Sequence, residues 1–305
     1  MVAEWRIDFY SAHGPPIGPK TMDPPPPSPT AGSLATRDIG PRSTEQRRLL
    51  AGKVTGKQPP RGRDQHRAYM DFNRANLHQD DPEYGDPDTF YSIFHDRMPC
   101  GDAHGLAKYA HRAMERPYKE SYNFTDVIEV GAGAGNHFAF VRHTFRRYVL
   151  TDLREGLAEA AKASLAGDPR VTCSVADAQD LHYRDRSFDR LIATCLLIHL
   201  PHPENALREW RRVVRANGVV TIYVPNEGAF LHFARRLTTA RAASRLGYRG
   251  YDLMLAREHI NRNQALDLLI RHNFRKDRLI RTAWPFHSSL PAAKLFTVYQ
   301  AKILT

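Results

Sequence analysis

The segment Val127-Ile-Glu-Val-Gly-Ala-Gly-Ala-Gly-Asn136 constrains the fold more than any other part of the chain. It begins as a short apolar run carrying one acid, Glu129, and then breaks into glycines at 131, 133 and 135. A run of this length reads as a buried strand. A glycine turn after it lets backbone approach a ligand closely, because glycine has no Cβ and tolerates positive φ. The spacing limits the ligand. A dinucleotide fingerprint G-x-G-x-x-G needs glycine at 136, where the chain has Asn136. A phosphate-binding P-loop needs Gly-Lys-Ser/Thr, and no such run follows.

From residue 126 onward, strand and helix patterns alternate. Strands are predicted at 126–130, 147–151, 171–175, 189–194, 218–224, 276–283 and 294–302, and helices at 135–145, 155–165, 204–215 and 262–272. The third helix carries Leu207, Trp210, Val213 and Val214 on one face, the fourth Ala265, Leu266, Leu268 and Leu269. This alternation predicts an α/β fold with a doubly wound, mostly parallel sheet of seven strands. No helix is predicted between the last two strands, so an antiparallel last strand is expected there. In such sheets ligands sit outside the carboxyl ends of the strands.

Upstream, eleven of the 21 prolines fall in residues 1–65, among charges, Gly, Ser and Thr. That composition predicts a disordered Pro-rich tail. Residues 66–125 hold an aromatic cluster, Phe90, Tyr91 and Phe94, and a helical stripe of Ala103, Leu106, Ala107, Ala110, Ala113 and Met114 that Pro117 ends. This region is expected to form a helical lid before a domain spanning 126–305, with an acceptor-side insertion at 226–261. The net charge of +11 permits an anionic partner without naming one. No run of 18 apolar residues exists, so no transmembrane segment is expected, and without a signal-peptide core in the first 30 residues the expected location is cytoplasmic. Cys100, Cys173 and Cys195 match neither a disulfide framework nor a zinc spacing.

Four features follow one another at the predicted strand ends. They are Glu129-x-Gly131-x-Gly133-x-Gly135, Asp152 seventeen residues after Gly135, Val175-Ala-Asp-Ala178, and Thr194-Cys-Leu-Leu-Ile-His-Leu-Pro-His-Pro203. In this order they resemble class I S-adenosylmethionine-dependent methyltransferases, in particular the small-molecule type of ubiquinone and menaquinone biosynthesis. His182-Tyr183 and Ala216-Asn217-Gly218 depart from that type's Pro-Phe and Pro-Gly-Gly. The resemblance implies a Rossmann-like methyltransferase fold with S-adenosylmethionine as methyl donor across the ends of strands one to four. It assigns the donor site to Glu129, Gly131, Ala132, Gly133, Gly135, Asp152, Leu153, Asp177, Ala178, Thr194 and Cys195. Asp152 would take the ribose hydroxyls, Leu153 the adenine face, Asp177 the adenine amino group, and Ala178 a ring nitrogen through its N–H. Thr194 and Cys195 would hold the methionine end through backbone carbonyls. For Glu129 two readings stay open, a partner of the methionine ammonium and a carboxylate that only orders the loop.

A methyl sulfonium is already activated, so a base is needed only where the acceptor must lose a proton. His199, which matches the family's histidine, and His259 are the catalytic candidates, each with a packing role as its alternative. Cys195 and Ile198 stand where metal-dependent relatives carry hard oxygen ligands, so no metal is expected. The insertion sets Phe230, Leu231, Phe233 and Leu237 beside Arg235, Arg236, Arg241, Arg245 and Arg249. It reads as a solvated helical cap, a pocket for an anionic acceptor, or a surface presenting a lipid-linked one. The expected function is methyl transfer to oxygen, nitrogen or carbon of a small molecule. An RNA or protein methyltransferase and a non-catalytic donor-binding partner subunit are the alternatives, although no nucleic-acid amino-methyltransferase motif or RNA-binding module is visible. Oligomeric state is left open.

Overall fold

The computed structural model describes residues 107–226, 240–245, 250–285 and 294–305. The expected tail at 1–65, most of the expected lid, Cys100 and much of the 226–261 insertion lie outside the described residues.

Seven strands are present where seven were expected: β1 Asn123–Val130, β2 Thr144–Asp152, β3 Val171–Val175, β4 Phe188–Thr194, β5 Val214–Pro225, β6 Arg278–Pro285 and β7 Lys294–Lys302. They form one sheet in the order β3-β2-β1-β4-β5-β7-β6. The first five pair in parallel. β7 runs antiparallel to both β5 and β6. The antiparallel last strand is therefore an inner strand, and its hairpin partner β6 forms the edge. β1 is buried on both faces from Val127 to Val130, as a central parallel strand must be. Ile128 and Val130 pack into one core with Trp210, Leu266 and Phe274. Val127 faces the other way, into a second core with Met114, Tyr148 and Ile192.

Among the described residues six helices accompany the sheet: α1 Ala107–Glu115, α2 Glu155–Leu165, α3 Pro203–Val213, α4 Arg241–Arg245, α5 Tyr251–Glu258 and α6 Asn263–Asn273. α3 buries Leu207, Trp210 and Val213 as its periodicity predicts. The Trp210 indole donates to the Ala178 carbonyl at 2.9 Å, which ties α3 to the turn after β3. On α6 the apolar pattern misleads in part. Leu266 and Ile270 are buried, whereas Leu268 is 60 % exposed.

The helix expected at 135–145 does not form. Asn136–Phe140 make a short 3-10 turn and Val141 is already extended. Phe138 and Phe145 set their rings edge-on to Tyr148, and this aromatic packing draws the segment away from a helical path. His137 is pulled down into a buried polar network. Its Nε2 lies 3.0 Å from Glu115 Oε1, and its Nδ1 lies 2.8 Å from His111 Nδ1. Glu115 also receives both terminal nitrogens of Arg190, which is fully buried in β4 and lies under the rings of Tyr118 and Phe124. Burial alone would raise the Glu115 carboxyl, but the Arg190 guanidinium and the His137 hydrogen bond outweigh it and hold the group at about 2. The network fastens α1 to the sheet directly beneath the glycine loop.

The Ala216-Asn217-Gly218 turn is accommodated as a bulge within β5, where its register with β4 shifts. Asn217 is left-handed at φ 65°, and its N–H donates to the Ile303 carbonyl at 2.7 Å. A Cβ at Gly218 would come within 2.7 Å of the Asp189 carbonyl oxygen. The turn thus keeps the glycine of the Pro-Gly-Gly pattern where backbone crowding leaves no other choice.

Candidate functional site

The glycine loop leaves β1 with Gly131, Gly133 and Gly135 at φ of 62°, 56° and 82°, a region that disfavours side chains. At Gly131 a Cβ would also lie 2.6 Å from Leu196, so the loop packs closely on the segment leaving β4. Ala132 N–H donates to the Thr151 carbonyl at 3.0 Å. One Asp152 oxygen accepts Gly133 N–H and the other accepts Arg154 N–H, each at 2.9 Å. Asp152 therefore holds the glycine loop against the end of β2 while remaining half-buried at the surface. Leu153 follows it there, also half-buried.

Glu129 is fully buried below the loop, with its Oε2 accepting the Tyr148 hydroxyl at 2.8 Å. Burial raises its carboxyl above the ordinary range. Its Oε1 has no hydrogen-bond partner among the described residues. With no solvent-facing surface, Glu129 acts on anything above the loop only from beneath.

At the end of β3, Ala176 N–H donates to the Asp152 carbonyl at 3.0 Å, joining the second and third strand ends. Asp177 is 1 % exposed. Its Oδ1 accepts Gln179 N–H at 2.8 Å, and its Oδ2 has no partner among the described residues. A buried carboxylate oxygen left open in this way is costly unless a donor reaches it. Ala178 lies beside it, 7 % exposed.

β4 ends at Thr194, and Cys195 adopts φ 54°. Cys195 N–H donates to the Tyr223 carbonyl at 3.2 Å, so its own backbone turns out of the sheet between the ends of β4 and β5. The 3-10 turn Leu197–His199 follows. Asn261 clamps it: its N–H donates to the Ile198 carbonyl at 3.1 Å, and its side-chain amide donates to the carbonyls of Leu197 at 2.9 Å and Leu200 at 2.6 Å.

His199 and His259 come together, their rings edge to face at 4.9 Å between centroids. His199 Nδ1 lies 3.0 Å from the Glu258 carbonyl oxygen. A carbonyl only accepts, so Nδ1 carries the ring proton and Nε2 is the acceptor nitrogen of the neutral ring. Burial, with His259 beside it, pushes His199 well below its ordinary value, which keeps it neutral near pH 7. The Glu258 carboxylate pairs with Arg154 at 3.3 Å. The histidines are thus joined to the Asp152 corner through α5.

The sites assigned from sequence gather at one end of the sheet, on the turns after β1, β2, β3 and β4, with His259 supplied from the end of α5. Sequence reading missed Arg154, Glu258 and Asn261. Arg154 stands two residues after Asp152, and Glu258 and Asn261 flank His259, so nearness to assigned residues was the signal available.

An aromatic row lies at the same end. Tyr109 of α1 stacks on Trp284 at 5.2 Å, Trp284 stacks on Phe296 at 5.3 Å, and Phe296 meets Tyr223 edge-on at 5.6 Å. The row runs from the end of β6 across β7 to the residue whose carbonyl holds Cys195.

Residues 128–222 match the family model described as "Methyltransferase domain". The chain is similar to a demethylmenaquinone methyltransferase of Clavibacter sepedonicus, at 33 % identity over 32 % of this chain and 39 % of that protein. It is also similar to methyltransferase GfsG of Streptomyces halstedii, at 32 % identity over 36 % of this chain and 43 % of that protein. The chain thus spans about two fifths of the length of these relatives. It shares its fold with N-methyltransferase NodS of Bradyrhizobium japonicum, solved in complex with S-adenosyl-l-homocysteine. That likeness has a TM-score of 0.51 at 11 % identity and covers 71 % of this chain and 97 % of that one.

Proposed function

We propose that this chain, whose residues 128–222 are a methyltransferase domain, moves the methyl group of S-adenosylmethionine to an oxygen, nitrogen or carbon of a small-molecule acceptor. The observation that carries the reading is the Asp152 corner, where one carboxylate accepts both the glycine loop and the next turn at the half-buried end of β2. A carboxylate placed at this strand end suits the two hydroxyls of a ribose. Asp177 Oδ2 suits the adenine amino group, with the Ala178 N–H toward a ring nitrogen. Leu153 suits the adenine face, and the carbonyls of Thr194 and Cys195 suit the methionine end. The loop of Gly131, Ala132, Gly133 and Gly135 passes beneath, with Glu129 supporting it from below.

Transfer is an in-line displacement. An electron pair of the acceptor, a lone pair on oxygen or nitrogen or a π pair at carbon, forms the new bond to the methyl carbon, and the carbon–sulfur bond breaks with its electrons passing to sulfur. An acceptor O–H, N–H or C–H also gives up a proton, and neutral His199 can take it on Nε2, with His259 beside it. Tyr109, 40 % exposed and stacked on half-buried Trp284, offers a wall to a flat or apolar acceptor at the carboxyl end of β6, with Phe296 and Tyr223 buried behind it. A quinone-type or lipid-linked molecule fits that wall, as the name of the menaquinone relative suggests.

S-Adenosylhomocysteine at about 100 times its Kd is expected to stabilise the protein by about 2.7 kcal/mol, on the order of 5–10 °C in Tm. No shift at roughly millimolar ligand overturns the donor reading. The histidine role is checked with an acceptor found by radiolabelled methyl transfer. His199→Gln is expected to lower kcat by roughly 10²-fold or more, with the S-adenosylhomocysteine shift intact. Full turnover in both His199→Gln and His259→Gln leaves these residues only a packing role.

A further inference from the structure

At the other end of the sheet a groove of about 700 Å³ opens between the last turns of α3 and α6, floored by Val214 and bounded by the chain end at Thr305. Val214 pairs with Phe188 and Tyr223 with Thr194, six residues on in β4, so at about 3.3 Å per residue the groove is roughly 20 Å from the proposed methyl-transfer site. Six cationic side chains line it against two carboxylates. Two of the six are immobilised as walls. The Arg211 guanidinium binds both oxygens of Asp277, at 2.8 and 3.2 Å. Arg212 is shared between Glu209, Asp185 and the carbonyls of Leu181 and Tyr183.

The other four, Arg186, Arg208, Arg275 and Lys276, are exposed at the rim. Among the described residues none of them has a carboxylate within ion-pair distance. On α6, by contrast, Arg271 is matched to Asp267. Helix ends explain part of this charge, since cations favour the last turn of a helix. They do not explain Arg208, in the middle of α3, or Arg186. Arg186 is held at φ 56° with its N–H donating to the Arg212 carbonyl at 2.9 Å. A left-handed arginine carries a backbone cost of about 1 kcal/mol or more.

We propose that this groove binds a row of phosphates, and that Arg186, Arg208, Arg275 and Lys276 are the residues that neutralise it. Planar guanidiniums fit phosphate oxygens in pairs, and the ammonium adds a point charge. Mutual repulsion among the four cations falls when an anion enters. The row can belong to a free oligophosphate or to the backbone of a single-stranded nucleic acid.

The test uses the full chain with two probes, inorganic tripolyphosphate by calorimetry and a short labelled single-stranded RNA by fluorescence anisotropy. The parent protein is expected to bind at least one of them. Arg208→Glu/Arg275→Glu/Lys276→Glu is expected to weaken that binding by about 10²-fold or more, and to lower the slope of log affinity against log salt by roughly one for each phosphate that the variant no longer neutralises. The thermal shift with S-adenosylhomocysteine should be the same in parent and variant, which shows that the variant is folded and reports on the donor site separately. Tripolyphosphate binding alone identifies a small ligand, and RNA binding alone identifies a strand. Binding of neither probe, or binding unchanged in the charge-reversed variant, overturns the assignment.

Discussion

Glu115→Ala is expected to destabilise the protein by about 3–5 kcal/mol, a large share of the roughly 5–15 kcal/mol that holds a native domain together. The reason is the partner left behind. Arg190 has no solvent-exposed surface, and Glu115 accepts both of its terminal nitrogens. Removing the carboxylate leaves a buried guanidinium over the rings of Tyr118 and Phe124 with no other carboxylate partner among the described residues. His137 Nε2 loses its acceptor in the same step. Urea unfolding should show the midpoint falling with the slope preserved. The double variant Glu115→Gln/Arg190→Met should recover most of the stability, since it removes both charges and keeps an oxygen for His137. A double variant no more stable than Glu115→Ala would mean that the ion pair is not the source of the cost.

The same pair predicts an acid limit to stability. Glu115 is held at about 2 in the fold against an ordinary value of 4.5. A depressed folded value means that the unfolded chain takes up the proton first. The contribution, on the order of 3 kcal/mol, is complete above pH 4.5 and drains away as pH falls toward 2. In Glu115→Gln/Arg190→Met this part of the acid dependence should be missing.

The sheet was legible because its signals are local. β1, β2 and β5 end as apolar runs closed by Gly131, Asp152 and Pro225, and parallel pairing with cover on both faces needs little more than such runs. The placement of Asp152 and Asp177 at strand ends was legible for the same reason, since it is a property of a few neighbouring residues. The network under the glycine loop was not legible. His111 and Glu115 sit on a face of α1 that reads as an alanine stripe, and Arg190 reads as an ordinary charge in a strand. Glu115 and Arg190 meet across 75 residues, and a pattern of period 3.6 or 2 holds no information about such pairing. The false helix at 135–145 has the same origin. Asn136, His137, Phe138 and Phe140 are weak helix formers, and the burial of His137 and aromatic packing on Tyr148, both decided by partners elsewhere in the chain, set the local path. Arg154 and Glu258, 104 residues apart, complete the pattern: the acids that bind backbone could be named from sequence, but not the ion pair that joins their turn to the histidines.

Asp152→Ala should lower the affinity for S-adenosylhomocysteine by roughly 10²-fold or more, about 3 kcal/mol. Two losses combine. The variant gives up two hydrogen bonds from backbone N–H groups to a charged acceptor, at Gly133 and Arg154, each worth about 1.5–3 kcal/mol before water replaces it. It also gives up whatever hydrogen bonds the carboxylate accepts from the ribose. Asp152→Asn is a sharper probe. One side of an amide accepts and the other donates, so it can satisfy Gly133 or Arg154 but not both, and it should fall between parent and alanine variant. Calorimetry with S-adenosylhomocysteine and its 2′-deoxy analogue separates loop ordering from direct contact. If Asp152 binds the ribose, the parent should prefer the full ribose by about tenfold or more, and Asp152→Ala should lose that preference. If it only orders the loop, both ligands weaken equally and the preference survives the mutation. Parent-like affinity for S-adenosylhomocysteine in Asp152→Ala would remove the residue from the donor site, and with it the observation on which the proposed function rests.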